Sequence, residues 1–451
     1  MHSRRTFLTQ AGTLAACTVS ATALSAADEK TQLSSTQTVS LCGRWWFRTD
    51  PAAAGAEQRW YEADSSVNDW QSVEVPHTWQ VNPAFADYRG IAWYRRVFDV
   101  PITWQHSAVR IEFEAVFHTA TVWVNGRSVG EHTRKGYTAF TLDITQLLRW
   151  GQTNTVAVRV DNAFNDHMLP RGRSSDWAHD GGIYRPVQLL VTPKTFVERV
   201  DVEGVPDRTS GEGKLTITAY VRNTGSKRWI GRASFQVFDE ETGLAVLTSA
   251  ATSGFSINAG AVQTVLFHAA LPQAKLWHFD HPNLYRLDFS IADEGESHQL
   301  TTTFGVRKLE VRDGKFHLNG EHVRLMGVER MAGSNPEFGM AEPDEWIKHD
   351  HADMKHLNCI FTRVHWPQDK RVLDYCDRHG ILMQTEVPAW GPDTFQGMGA
   401  VPDAGIMQNG LEQLQEMIAH DRNHPSVVVW GLCNEIDGQN PPAYQLSLIH
   451  I

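Results

Sequence analysis

Residues 359–385 read CIFTRVHWPQDKRVLDYCDRHGILMQT. An apolar run at Cys359–Val364 precedes a helical pattern at Asp369–Arg378, a glycine stop at Gly380 and a second apolar run at Ile381–Thr385. That order is the pattern of two parallel strands joined by a crossover helix. The pattern extends both ways. Upstream, Val323–Val328 reads as a strand and Asp344–Leu357, with its acidic first turn, as a helix. Downstream, Leu411, Leu414 and Ile418 share one helical face and Val427–Leu432 reads as a strand. Four βα-type strands at this spacing predict half of an eight-stranded (β/α)8 TIM barrel over residues 308–445.

Before Asn319-Gly320 the period is different. From 40 to 192 short strands dominate, with Val156, Val158 and Val160 alternating with polar or small neighbours and turn signals at Asn125-Gly126 and Gly181-Gly182. Residues 196–306 repeat the two-residue period at Leu215, Ile217, Ala219 and Val221 and again at Tyr285, Leu287, Phe289 and Ile291. The expected architecture is multidomain: a jelly-roll β-sandwich, an immunoglobulin-like β-sandwich and a partial barrel.

Composition bounds the function. The chain has 451 residues, and its net charge of −11 with scattered basic residues argues against nucleic acid as a partner. No apolar run is long enough to span a bilayer. Five cysteines without a metal-ligand or disulfide spacing predict free thiols. Sixteen tryptophans supply flat apolar faces suited to sugar rings, although core packing is the ordinary use of most of them. The sequence leaves oligomerisation open.

In such a barrel the chemistry lies just past the C-terminal ends of the strands. Those positions carry Glu329-Arg330, Arg363-Val364-His365-Trp366, Glu386 and Asn434-Glu435. Taken singly, each is as readily a helix cap or a solvated charge. Converging on one rim, they suit a neutral polyol that needs donors, acceptors, a stacking face and a carboxyl to move protons. Gly126-Arg127-Ser128-Val129-Gly130 matches the G-x-S-x-G pattern, but a hairpin turn between strands is the wrong setting for a nucleophile elbow.

Val75-Pro76-His77-Thr78-Trp79, Ala92-Trp93-Tyr94-Arg95-Arg96, Val122-Trp123-Val124-Asn125-Gly126 and Gly181-Gly182-Ile183-Tyr184-Arg185-Pro186 resemble the sugar-binding domain of glycoside hydrolase family 2. Arg422-Asn423-His424-Pro425-Ser426, followed by Trp430 and Asn434-Glu435, resembles that family's acid/base signature. The family holds retaining β-galactosidases, β-glucuronidases and β-mannosidases. The resemblance implies an exo-acting enzyme on a carbohydrate substrate, a β-galactosidase for preference, with Glu435 as general acid/base and Asn434 on the sugar's 2-hydroxyl. A β-glucuronidase, a β-mannosidase or a secreted carbohydrate-binding protein without turnover is the alternative. The resemblance further implies Asp176, His365, Arg330, Arg363 and Trp366 as substrate-binding residues. Glu386 is implied as a supporting glutamate, and the nucleophile is implied from a later strand. Arg363 and His365-Trp366-Pro367 match the family's Arg-x-x-His-Tyr-Pro stretch shortened by one residue, and Asp176 reads equally as a loop turn residue. Arg330-Met331 stands where many relatives have Arg-His, which weakens the reading of the glycone. Trp390 and Pro392 replace the Glu and His that magnesium-dependent relatives carry, so neither a metal nor another cofactor is expected.

Ser3-Arg4-Arg5-Thr6-Phe7-Leu8, a weakly apolar stretch and small residues near Ala27 predict a twin-arginine signal peptide over 1–27 and export to the periplasm or beyond. Leu14-Ala15-Ala16-Cys17 resembles a lipobox, under which reading Cys17 would carry a lipid anchor. Residues 446–451 read as adapter-encoded rather than native, which predicts a reading frame that continues past Gln445.

Overall fold

The computed structural model describes residues 34–171, 179–252, 254–390 and 404–435. The first sandwich pairs a six-stranded antiparallel sheet, with Gln152–Asp161 between Ile91–Val100 and Thr119–Val124, against a four-stranded one running Gln37–Ser40, Val187–Thr192, Ala108–Phe113 and Phe140–Asp143. Its first strand therefore starts three positions before the predicted domain edge. The alternating valines 156, 158 and 160 all face the interior with Trp45, Phe47, Trp79 and Tyr94. Asn125-Gly126 makes the expected tight turn, both residues having positive φ of 51° and 79°. Ser128 consequently sits in the hairpin strand Arg127–His132, far from any strand-to-helix elbow.

In the second sandwich, Thr195–Asp207, Glu212–Asn223 and Val262–Leu271 form one sheet, and Trp229–Asp239, Tyr285–Ala292 and Ser297–Phe304 are the centre of the other. Ile217, Val221, Phe235, Leu287 and Phe289 fill the space between them.

Past the second sandwich the four parallel strands are β1 (Gly327–Glu329), β2 (Phe361–Arg363), β3 (Leu382–Glu386) and β4 (Val427–Gly431), hydrogen-bonded in that order. Between them run α1 (Asp344–His356), α2 (Lys370–His379) and α3 (Ala404–Asp421). One expected strand is corrected. Val323–Val328 is two elements, because Val323 ends a small antiparallel sheet (Leu309–Arg312, Lys315–Leu318, Glu321–Val323) and the chain changes sheets before Gly327. Nothing in Val323–Val328 beyond Arg324 and Gly327, which also occur inside strands, marks such a switch. Helix α2 shows its punctuation plainly: the Asp369 carboxylate accepts from the Arg371 amide at 2.9 Å, and Gly380 closes the helix at φ 69°.

Both sandwiches are bolted to this sheet, at opposite ends. Arg185, in the Gly181–Pro186 motif, donates to the carbonyls of Tyr137 at 3.0 Å and Pro367 at 2.8 Å, tying the first sandwich to the segment that follows β2. Phe117, Tyr137, Tyr184, Trp366, Trp390 and Met340 then form one core across the two domains. At the other end Asn423 accepts from Val202 N at 2.8 Å and donates to Val200 O at 2.7 Å, and Arg307 donates to Pro425 O at 2.8 Å. The Arg422–Ser426 motif thus docks the second sandwich at the start of β4, away from the strand ends that matter for chemistry.

His420 on α3 makes the first interface sensitive to pH. Burial opposes its protonation, but the adjacent Asp421 carboxylate and Glu114 of the first sandwich, at 3.3 Å, outweigh it and hold the imidazole well above its ordinary value of 6.5. A histidine whose folded-state pKa is raised contributes stability below the unfolded value and loses it as pH climbs through the folded value. His420→Gln should therefore melt earlier than the parent at pH 6, with the gap narrowing as pH rises above about 7. Melting curves at several pH values check this; a pH-independent gap would contradict it.

Candidate active site

The four strands deliver their last residues to a single rim. Arg363, ending β2, is its hub. Its guanidinium donates to Glu329 of β1 at 2.9 Å, to Glu386 of β3 at 3.0–3.3 Å through two nitrogens, and to Asn434 Oδ1 at 2.9 Å. Parallel pairing is what makes this reach available, since register places Glu329 opposite Arg363 and Glu386 opposite Gly431. A Cβ at Gly431 would overlap a Glu386 oxygen, so the glycine keeps room for the carboxylate.

Glu386 is 1% exposed, and the Gln384 amide also donates to it, at 2.9 Å. Burial pushes its pKa up, while Arg363 and Gln384 pull it partly back. Both oxygens are occupied by donors, which fits a supporting role and ill fits a nucleophile. Asn434 is anchored twice, by its side chain on Arg363 and by its amide on the Ala389 carbonyl at 2.9 Å. The next residue, Glu435, has a left-handed backbone with φ 51° and an exposed position. A non-glycine residue at positive φ costs about 1–2 kcal/mol and persists where the surroundings fix it. The doubly anchored Asn434 immediately precedes Glu435.

His365 bonds the Glu329 carboxylate at 3.2 Å. Burial lowers its pKa, and the charges of Glu329 and Glu435 act the other way, so Glu435 lies within electrostatic range of the ring.

Two expected ligands face elsewhere. Arg330 turns from the rim into an ion pair with Glu342, at 2.6 and 2.9 Å, and donates to Asp350 at 2.8 and 2.9 Å. With four of its N–H groups engaged and 9% exposure, it braces the loop after β1 against α1. Trp366 is fully buried, stacked on Tyr137 at 5.1 Å and against Trp390 at 5.9 Å, so its faces are closed to a sugar. Trp366→Phe should accordingly lower stability by about 1–3 kcal/mol while leaving glycone affinity unchanged, as denaturant melts and ligand titration would show. Asp176 and Cys17 lie outside the described residues. Glu329 joins the site without having been singled out as a ligand, because a solvated acidic residue after a strand carries no signal of its own.

Sequence profiles agree with this arrangement from end to end. "Glycosyl hydrolases family 2, sugar binding domain" matches residues 38–193, "Glycosyl hydrolases family 2" residues 195–307, and "Glycosyl hydrolases family 2, TIM barrel domain" residues 309–446. The chain belongs to glycoside hydrolase family 2. Among curated family 2 relatives, a β-galactosidase of Thermoanaerobacter pseudethanolicus is 34% identical over 383 residues, covering 82% of this chain and 49% of the relative. A β-glucuronidase of Bacteroides fragilis is 31% identical, covering 84% and 56%. The chain spans about half the length of these relatives. The crystal structure of Bacteroides uniformis β-glucuronidase superposes with a TM-score of 0.80 at 28% identity, covering 92% of this chain and 50% of that one. The family 2 architecture of two sandwiches and a TIM barrel is therefore shared.

Proposed function

We propose that the whole protein is a retaining exo-β-glycosidase that removes terminal β-linked sugars, with β-galactosides as the first choice. A β-galactosidase and a β-glucuronidase both stand among the relatives, which supports the reaction class more firmly than the sugar. The observation that carries the reading is Arg363 bridging Glu386 to Asn434, with the exposed carboxyl of Glu435 next in the chain. Glycoside cleavage asks for one carboxyl that gives a proton to the departing oxygen and later takes one from water. The exposure of Glu435 beside the anchored Asn434 supports that role for it. Asn434 holds the sugar's 2-hydroxyl with its amide group, and Glu386 orients the hub. A second carboxylate about 5–5.5 Å from Glu435 completes the retaining mechanism. By the family's pattern it comes from a later strand. Export by the twin-arginine route, supported by Arg4-Arg5, belongs to the same proposal.

The test follows anomer formation by NMR as purified whole protein hydrolyses nitrophenyl β-glycosides. First formation of the β-anomer supports the reading; the α-anomer, or no hydrolysis of any glycoside, overturns it.

A further inference from the structure

Glu329 poses a question that the reaction does not answer. Its carboxylate is 47% exposed, yet it is bonded to Arg363 at 2.9 Å and to His365 at 3.2 Å, within the same rim as Glu386 and Glu435. Two carboxylates, Glu329 and Glu386, therefore sit on one guanidinium, and Glu435 follows Asn434 on the same rim. Arg363 has no charge to spare, since Glu329 and Glu386 both sit on it and Asn434 takes a further N–H. Arg330, the other arginine at these strand ends, is spent on Glu342 and Asp350. Burial disfavours a charge on His365, so near neutral pH it offers dipoles rather than a cation. Glu435 enters the reaction carrying the proton it donates, so Glu329 is the carboxylate that takes up the charge of Arg363, and none is left over for an anionic ligand.

Resting on the glycosidase reading, we propose that Glu329 determines glycone specificity: its carboxylate accepts hydroxyl hydrogens from a neutral sugar and discriminates against glycones that carry a carboxylate. A hydroxyl meeting Glu329 gains a charge-assisted hydrogen bond, whereas a uronate meets like charge there, with no unspent cation among the described residues of the strand ends. The repulsive element carries the selection, as in sites that reject a partner by building against it. Glu329 also holds Arg363 and His365 in place, so its removal touches the hub as well; the ratio between two sugars separates the two effects.

The experiment is calorimetric titration of the whole protein, wild type and Glu329→Gln, with a galactose-configured lactam and its uronic-acid counterpart. The wild type is expected to bind the neutral lactam at least about tenfold more tightly, and the substitution to erase most of that gap by strengthening the uronate. Added salt should narrow the wild-type gap. Equal wild-type affinities, a wild-type preference for the uronate, equal shifts of both ligands in the variant, or binding of neither would overturn the proposal, and the wild-type ratio alone suffices should the variant not fold. Turnover of nitrophenyl β-glycosides, measured alongside, separates the two readings. Turnover without discrimination removes the role of Glu329 and leaves the hydrolase, while discrimination without turnover does the reverse.

Discussion

Glu435→Gln should slow the whole protein by about 10²–10⁴-fold on alkyl β-glycosides while leaving the first step on dinitrophenyl glycosides nearly intact. The dependence on leaving group is the informative part. An alkoxide departs only when a proton reaches it, so loss of the acid is felt in full; a dinitrophenolate departs unaided. The amide keeps the volume and hydrogen-bonding shape of the side chain, and Asn434 remains pinned to Arg363 and the Ala389 carbonyl, so the rim itself should not move. The second half of the reaction should slow for both classes, since the same carboxyl activates water once the leaving group has gone. Pre-steady-state measurements on the dinitrophenyl substrate would then show a burst followed by slow turnover. Equal losses across the leaving-group series would remove Glu435 from the acid/base role.

Arg363→Met is expected to be the more disruptive change, because it fails on two counts at once. Activity should fall by at least about 10²-fold, as Asn434 and Glu386 both lose the group that fixes them; misplacement of about 1 Å is enough for that. Stability should fall as well, by about 3–5 kcal/mol at neutral pH, the usual cost of leaving a buried charge without its partner. Glu386 is almost fully buried, and its pKa already lies above the ordinary carboxylate value despite the guanidinium. Without Arg363 the pKa rises further. A carboxyl whose folded-state pKa exceeds its unfolded value binds its proton more tightly when folded, so folding stability drops as pH rises through that value. The variant should accordingly lie close to the parent in thermal melts at about pH 5 and well below it at about pH 8. A gap independent of pH would mean that Glu386 is not the group left unpaired, and unchanged kinetics would remove Arg363 from the positioning of the site.

The relation between the two ends of the barrel strands bears on how family signatures are read. Arg422-Asn423-His424-Pro425-Ser426 precedes Asn434-Glu435 in sequence and is naturally taken with it, yet the two lie at opposite ends of β4. Asn423 spends its side chain on Val200, Val202 and Thr302 of the second sandwich, and Ser426 N donates to Asp377 at 3.0 Å. The motif fixes where β4 begins, and Asn434-Glu435 occupies where it ends. The tryptophans follow the same logic. Trp45, Trp79, Trp93, Trp277 and Trp366 are all fully buried, so these five serve core volume and domain contacts rather than sugar stacking.

Strand and helix identity, the change from a two-residue to a three-to-four-residue period near Asn319-Gly320, the hairpin at Asn125-Gly126 and the cap at Gly380 were legible from the chain alone, because each depends on neighbours a few positions away. So was the rim: residues just past parallel strands must share one edge, whatever else the molecule does. Direction and partnership were not legible. Arg330 and Arg363 both follow barrel strands, and only the fold turns the first into Glu342 and Asp350 and the second onto Glu329, Glu386 and Asn434. Trp366 looked like a stacking face until Tyr137, from a different domain, covered it. The physical reason is common to these cases. Periodicity records which side of an element is buried, whereas the group that buries it, or pairs its charge, is brought there by contacts between residues remote in sequence, and those exist only once the domains have packed.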